Sequence, residues 1–152
     1  MCSKVRLNSG YGYELFKDDK DYLYLEPQAD HKDTLIWTHG LGDSAMGFLD
    51  VFFTNQFKVV PSTTKVILMT APTRPVTINN GMSMPSWYDI LSMELSSGSK
   101  DLDYGQLHES YELVSEVVQN ELQHVGNDWS KVHLGGFSQG ACLTYYCVSK
   151  FG

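Results

Sequence analysis

The segment Gly136-Phe137-Ser138-Gln139-Gly140 has the residue types and spacing best suited to chemistry in this chain of 152 residues. It reads G-x-S-x-G. It sits directly between an apolar run at 131–134 and a largely apolar stretch at 141–150. That is the strand–turn–helix context of a nucleophile elbow, a strained turn that lifts a serine hydroxyl above a sheet. Glycines two before and two after the serine let strand and helix approach without side-chain clash. The helix that starts there favours negative charge developing at its N-terminus. Ser138 is thus a candidate nucleophile for acyl transfer. The bare pattern is weak, because Gly and Ser are common. The alternative is a serine in an ordinary glycine-rich turn, and the context favours the elbow.

Acyl transfer also needs backbone N–H donors, in place before the reaction, for the oxyanion of the tetrahedral intermediate. One comes from the residue after the nucleophile, here Gln139, and the other from a loop after an earlier strand. His39-Gly40-Leu41-Gly42-Asp43 follows the apolar run 34–38, and Leu41 N–H is the second candidate. His39 would lie beneath this loop and reads as structural rather than as a base. Asp43 is expected to brace the loop. The same residues extend to Gly40-Leu41-Gly42-Asp43-Ser44-Ala45, a G-x-G-x-x-A dinucleotide fingerprint. Two features oppose that reading. No acid ends the next strand to hold a ribose, and Asp43 would put negative charge inside the phosphate cradle. The five histidines show no H-x-x-x-H or H-x-H spacing, so no metal site and no cofactor is expected.

The elements that must position these residues alternate along the chain. Strands are expected at 21–26, 34–38, 65–69 and 131–134, and helices at 45–57 and 141–150. The clearest helix carries Leu107, Tyr111, Val114, Val118, Leu122 and Val125 at steps of three and four, with Gly126 as its stop. The run 65–69 is almost wholly apolar, as in a parallel sheet covered on both faces. This order predicts an α/β fold: a mainly parallel sheet with helices on both faces, in a single domain. Residues 71–89 read as a long irregular stretch with an Asn79-Asn80-Gly81 turn signal. Residues 92–103 are polar and serine-rich and suit a flap.

Composition narrows the partners. The net charge of −7 opposes binding to phosphate backbones, so nucleic acid is not an expected partner. No run approaches the roughly 18 apolar residues of a membrane span, and residues 1–20 lack the apolar core of a secretory signal. Three cysteines without metal spacing argue against a disulfide framework and make the cytoplasm the expected compartment. Cys142 and Cys147 read as small core residues on one helix. Cys2 offers a thiol for S-acylation, which would give only transient membrane association.

Four blocks together resemble the phospholipase/carboxylesterase family that includes acyl-protein thioesterases and lysophospholipases. They are Trp37-Thr38-His39-Gly40-Leu41-Gly42-Asp43, Ala71-Pro72-Thr73-Arg74-Pro75-Val76-Thr77, Met84-Pro85-Ser86-Trp87-Tyr88-Asp89 and Leu134-Gly135-Gly136-Phe137-Ser138-Gln139-Gly140. The resemblance implies the α/β-hydrolase fold and a cytosolic hydrolase of acyl thioesters or carboxylic esters. The substrate class is an S-acylated protein, a lysophospholipid or a small ester. It implies Ser138 as nucleophile, Leu41 and Gln139 as oxyanion donors, and Met84, Trp87 and Leu91 along an acyl groove bordered by a flap at 91–95. Arg74 reads as one half of a structural ion pair. In the family the triad Asp and His follow the serine. Residues 139–152 contain neither, so the chain is expected to be the N-terminal part of the domain, with activity belonging to the complete protein. The strand 131–134 is then expected to lie between 34–38 and a strand beyond the final helix. A truncated, non-catalytic acyl-binding homologue is the alternative.

Overall fold

The computed structural model describes residues 3–53, 59–94 and 101–152. The elements run β1 (Val5–Gly10), β2 (Tyr13–Lys17), β3 (Leu23–Pro27), β4 (Asp33–Thr38), α1 (Ala45–Phe53), β5 (Thr64–Met69), β6 (Thr73–Val76), β7 (Met82–Pro85), α2 (Tyr104–His124), β8 (Val132–Gly136) and α3 (Gln139–Phe151). The main sheet has six strands in the order β1-β2-β3-β5-β4-β8. β5, β4 and β8 are parallel. β1, β2 and β3 form an antiparallel meander joined antiparallel to β5.

Period-two alternation in the inner strands divides the core between the two faces of the sheet. Leu23, Leu25, Val66 and Leu68 point to the face covered by α1, where they meet Phe52 and Phe53. Ile36, Ile67 and Met69 point the other way, to Val114, Val118 and Leu122 of α2 and to Leu143 and Cys147 of α3. Every residue of β5 is buried, which explains its continuous apolar run. Each large apolar side chain buried in this way contributes about 1.5–3 kcal/mol of transfer free energy.

The helix read from Leu107 onward is α2. Asp103 caps it by accepting a hydrogen bond from Gln106 N–H. It ends at Val125, where Gly126 takes a φ of 71°. The helix expected at 45–57 is described to Phe53, and its last part lies outside the described residues. So do Cys2 and residues 95–100, including Leu95, of the expected flap. The base of that flap is closed by hydrogen bonds from Leu91 N–H to Asp101 O (2.7 Å) and from Asp103 N–H to Asp89 O (3.0 Å).

Two regions differ from the sequence reading. Residues 5–17 hold the β1–β2 hairpin, whose Tyr11-Gly12 turn has positive φ at both positions, 54° and 86°. That is the twist a tight hairpin favours. β1 is exposed along almost its whole length, and its short alternation of Val5 and Leu7 with Arg6 and Asn8 faces no core. Residues 71–89 are not wholly irregular. β6 and β7 pair as an antiparallel hairpin around Asn80 and Gly81, both left-handed. Pro75 and Pro85 within the strands disguise them, since proline reads as a strand breaker.

The two ends of the parallel strands are built differently. At their N-terminal ends Lys65 and Glu121 are both buried. Lys65 Nζ lies 2.7 Å from Glu121 and 3.2 Å from Glu26. Thr34 Oγ1 donates to the other Glu121 oxygen at 2.9 Å, and His31 Nε2 meets Thr34 Oγ1 at 2.8 Å. The C-terminal ends carry the elbow.

Candidate functional site

Ser138 lies between β8 and α3, with φ 53° and ψ −117°. A non-glycine residue reaches this region only when its surroundings impose it, at a cost of order 1–3 kcal/mol. Phe137 N–H donates to Thr38 O at 3.0 Å, Gly140 N–H to Phe137 O at 2.9 Å, and Cys142 N–H to Ser138 O at 3.2 Å. A Cβ at Gly140 would overlap the Thr38 and His39 carbonyls. One at Gly136 would stand 2.5 Å from the Gly140 carbonyl carbon. Both glycines are therefore demanded by backbone contact, and Ser138 itself is exposed. Thr38, at the end of β4, ties the junction by donating from Oγ1 to Gly140 O at 2.9 Å.

The loop after β4 lies against this serine. A Cβ at Gly40 would stand 3.4 Å from Ser138 Cβ and 3.3 Å from the Phe137 ring. The next N–H belongs to Leu41. Neither Leu41 N–H nor Gln139 N–H donates to a protein acceptor among the described residues. The loop is held by Gly42 N–H to Pro85 O at 2.9 Å and Asp43 N–H to Gly40 O at 3.2 Å. The Asp43 carboxylate accepts from Ser44 N–H at 2.8 Å and lies over Gly47 in the first turn of α1.

His39 is fully buried beneath the loop. Ala71 N–H donates to its Nε2 at 2.9 Å. That nitrogen must be the unprotonated one, so Nδ1–H donates to Gly40 O at 2.6 Å. Burial, the largest influence, holds the imidazole pKa below its ordinary value of 6.5, so the ring is neutral. The other histidines lie on other elements and contacts. His31 is on Thr34, His133 is 3.4 Å from Asp33 at the far end of the strands, and His108 and His124 are on α2.

Sequence reasoning missed the side chain of Gln139. It is buried, and its amide is saturated. Its Oε1 accepts from Trp87 N–H at 3.0 Å. Its Nε2 donates to Ser86 Oγ at 3.0 Å and to Tyr88 O at 2.7 Å. Ser86 Oγ in turn donates to Tyr88 O at 2.7 Å, and Ser110 Oγ donates to Trp87 O. A glutamine in the first turn of a helix whose first half is mostly apolar was the available signal.

Trp87 is the residue whose placement differs most from expectation. It is 0% exposed, and its indole N–H donates to His39 O at 2.8 Å. It presents no surface to a ligand and packs beneath the site instead of lining a groove. The reason is hydrogen bonding as much as size, since a buried indole needs an acceptor. Met84 is half-buried, and its Sδ would lie 3.4 Å from a Cβ at Gly42, beside the loop. Leu91 is 44% exposed. Arg74 pairs with Glu109 at 3.4 Å. Cys147 is buried, which pushes its thiol up to about 12, whereas Cys142 is exposed rather than in the core.

A sheet with helices on both faces and a serine at a strained strand-to-helix turn defines an α/β hydrolase. The profile described as Phospholipase/Carboxylesterase matches residues 23–151, and the chain belongs to that family. Acyl-protein thioesterase 1 of Cryptococcus neoformans is 38% identical over 125 residues, covering 81% of this chain and 50% of that protein. Acyl-protein thioesterase 1 homolog 1 of Dictyostelium discoideum is 37% identical over 116 residues, covering 76% and 50%. The crystal structure of Zea mays acyl-protein thioesterase 2 superposes with a TM-score of 0.66 at 27% identity, covering 86% of this chain and 51% of that one. The chain spans about half the length of the curated relatives it matches. Among the described residues no helix is long and apolar enough to cross a membrane, and no cluster of His, Cys, Asp or Glu could hold a metal.

Proposed function

We propose that the complete protein is a cytoplasmic serine hydrolase that cleaves acyl thioesters, and carboxylic esters more slowly, through an acyl-enzyme at Ser138. The observation that carries this reading is how closely the loop after β4 approaches the serine: a Cβ added at Gly40 would stand 3.4 Å from Ser138 Cβ. This closeness supports Leu41 N–H, the next along the loop, and Gln139 N–H as the two donors that serve one serine. Ser138 Oγ attacks the acyl carbonyl carbon, and the carbonyl oxygen becomes an oxyanion held by these two N–H groups. Preorganised donors of this kind are worth about 10²–10³ each in turnover. Collapse of the intermediate expels the thiol or alcohol and leaves an ester on Ser138, which water then hydrolyses. A thiol of pKa about 8.5 departs as thiolate with little protonation, whereas an alkoxide needs a strong general acid. The rank of thioester over ester follows from that difference.

The base that takes the Ser138 proton is a histidine following the serine in the complete protein, in the order Ser, Asp, His. Buried, neutral His39 has both nitrogens engaged and is not that base. Met84 and Leu91 offer apolar surface to an acyl chain, and methionine adapts to varied chain shapes. The relatives' names, acyl-protein thioesterase, favour an S-acylated protein as substrate. The test is hydrolysis of palmitoyl-peptide thioesters against matched oxygen esters by the full-length protein and its Ser138→Ala variant. Faster thioester cleavage that vanishes in the variant supports the reading, and hydrolysis surviving Ser138→Ala overturns it.

A further inference from the structure

We infer that His39, Trp87 and the side chain of Gln139 are positioning residues that lock the two candidate oxyanion donors into one geometry. The inference rests on the proposed hydrolase reading and goes beyond it by naming what holds the donors.

The links form an unbroken chain from one donor to the other. Gln139 supplies one N–H from its backbone, and its side-chain Oε1 accepts from Trp87 N–H at 3.0 Å. The Trp87 indole N–H donates to His39 O at 2.8 Å. His39 Nδ1–H donates to Gly40 O at 2.6 Å. The Gly40 carbonyl and the Leu41 N–H belong to the same planar peptide unit. A bond to that carbonyl therefore fixes the direction of the Leu41 N–H. It also polarises the peptide, making the N–H a stronger donor. Ala71 N–H on Nε2 selects the tautomer that makes this donation possible. Gln139 Nε2 spends its two hydrogens on Ser86 Oγ and Tyr88 O, so its amide cannot flip.

His39, Gly40, Trp87 and Gln139 are buried, Leu41 is half-buried, and Ser138, next to Gln139 in the chain, is exposed. The network ends on the Gly40–Leu41 peptide at one side and on the side chain of Gln139, the residue after the serine, at the other. A displacement of about 1 Å in such a donor is enough to cost on the order of 10²-fold in rate.

The test uses the full-length protein, with active sites counted by fluorophosphonate titration so that unfolded molecules do not enter kcat. His39→Asn retains an N–H near the Nδ1 position, while His39→Gln retains an acceptor near Nε2 and loses the donor to Gly40 O. We expect kcat to fall by about 10- to 100-fold in His39→Gln and by less than about 10-fold in His39→Asn, with KM within about two-fold. Trp87→Phe keeps the ring, loses the indole N–H, and should lower kcat by about 3- to 10-fold at constant KM. Nitrogen-15 NMR of the unsubstituted protein should show a neutral His39 protonated at Nδ1, a readout independent of whether any variant folds. The inference is overturned by kcat per site within about two-fold of the parent in all three variants, by equal losses in the Asn and Gln variants, or by a ring protonated at Nε2. Hydrolysis that persists in Ser138→Ala would instead overturn the hydrolase reading.

Discussion

The two ends of the parallel strands β4, β5 and β8 solve opposite problems. At the N-terminal ends, charged side chains are buried and completely paired: Lys65 with Glu121 and Glu26, and Glu121 also with Thr34. At the C-terminal ends of β4 and β8 the polar work is done by the backbone, and it is deliberately incomplete. Leu41 and Gln139 keep their N–H groups free of protein acceptors among the described residues, beside a serine held at φ 53°. A buried charge demands full compensation, because removing either partner leaves an uncompensated ion. A catalytic surface demands the reverse: unmet hydrogen bonds and strain, supported by a saturated layer beneath. The comparison teaches that one end pairs every buried charge, and that the other, on the proposed reading, leaves strain and unmet donors for chemistry.

Substitutions should separate the two ends cleanly. The largest effect belongs to Ser138→Ala in the full-length protein, which should lower turnover by roughly 10⁶ while leaving the melting temperature close to the parent value. Calorimetry alongside the assay checks both halves. Glu121→Ala should do the converse, costing about 3–5 kcal/mol in denaturant unfolding while kcat per titrated site holds steady. Replacing the pair together, Lys65→Met with Glu121→Leu, should recover most of that loss; failure to recover would mean the cluster does more than balance charge. Gly140→Ala forces a Cβ into the Thr38 and His39 carbonyls and should cost at least about 1–3 kcal/mol, and it should lower activity as well, since it moves the elbow itself. Ser138→Gly should raise stability by about 0.5–1 kcal/mol, because glycine accepts a φ of 53° without strain.

The smallest effect is a pH dependence. Burial lowers the His39 pKa below 6.5, so the unfolded chain binds this proton more readily than the folded one. The stability tied to the neutral ring is complete above pH 6.5 and is lost as pH falls through the depressed folded value. Stability should therefore decline with acid below that point, and His39→Gln should flatten this part of the profile. An unchanged profile in the variant would show that other groups carry the acid sensitivity.

Much of this arrangement is legible in the sequence. The elbow was readable because its demands are local: glycines at fixed offsets from Ser138, an apolar run before and a helix after. α2 was readable because one apolar stripe repeats over its whole length. β5 was readable because both its faces are buried. The β1–β2 hairpin was harder to read because the alternation Val5-Arg6-Leu7-Asn8 is short and its apolar residues are exposed. Trp87 shows a subtler limit. Its type suggested a ligand surface, but whether a tryptophan lines a groove or supports one depends on where its N–H finds an acceptor. That acceptor, the His39 carbonyl, is 48 positions away in sequence. The Gln139 amide has the same character, with partners 51 to 53 positions away that no local pattern announces.

The central claim is that the strand–turn–helix junction presents Ser138 as the acyl acceptor. The most direct measurement is rapid acid quench of the full-length protein with a long-chain acyl thioester, followed by peptide mass spectrometry. The account predicts an acyl adduct on the peptide containing Ser138, formed in a burst before steady-state turnover and absent from Ser138→Ala. Turnover with no adduct at Ser138, or with the acyl group on Cys142 or another residue, would contradict it.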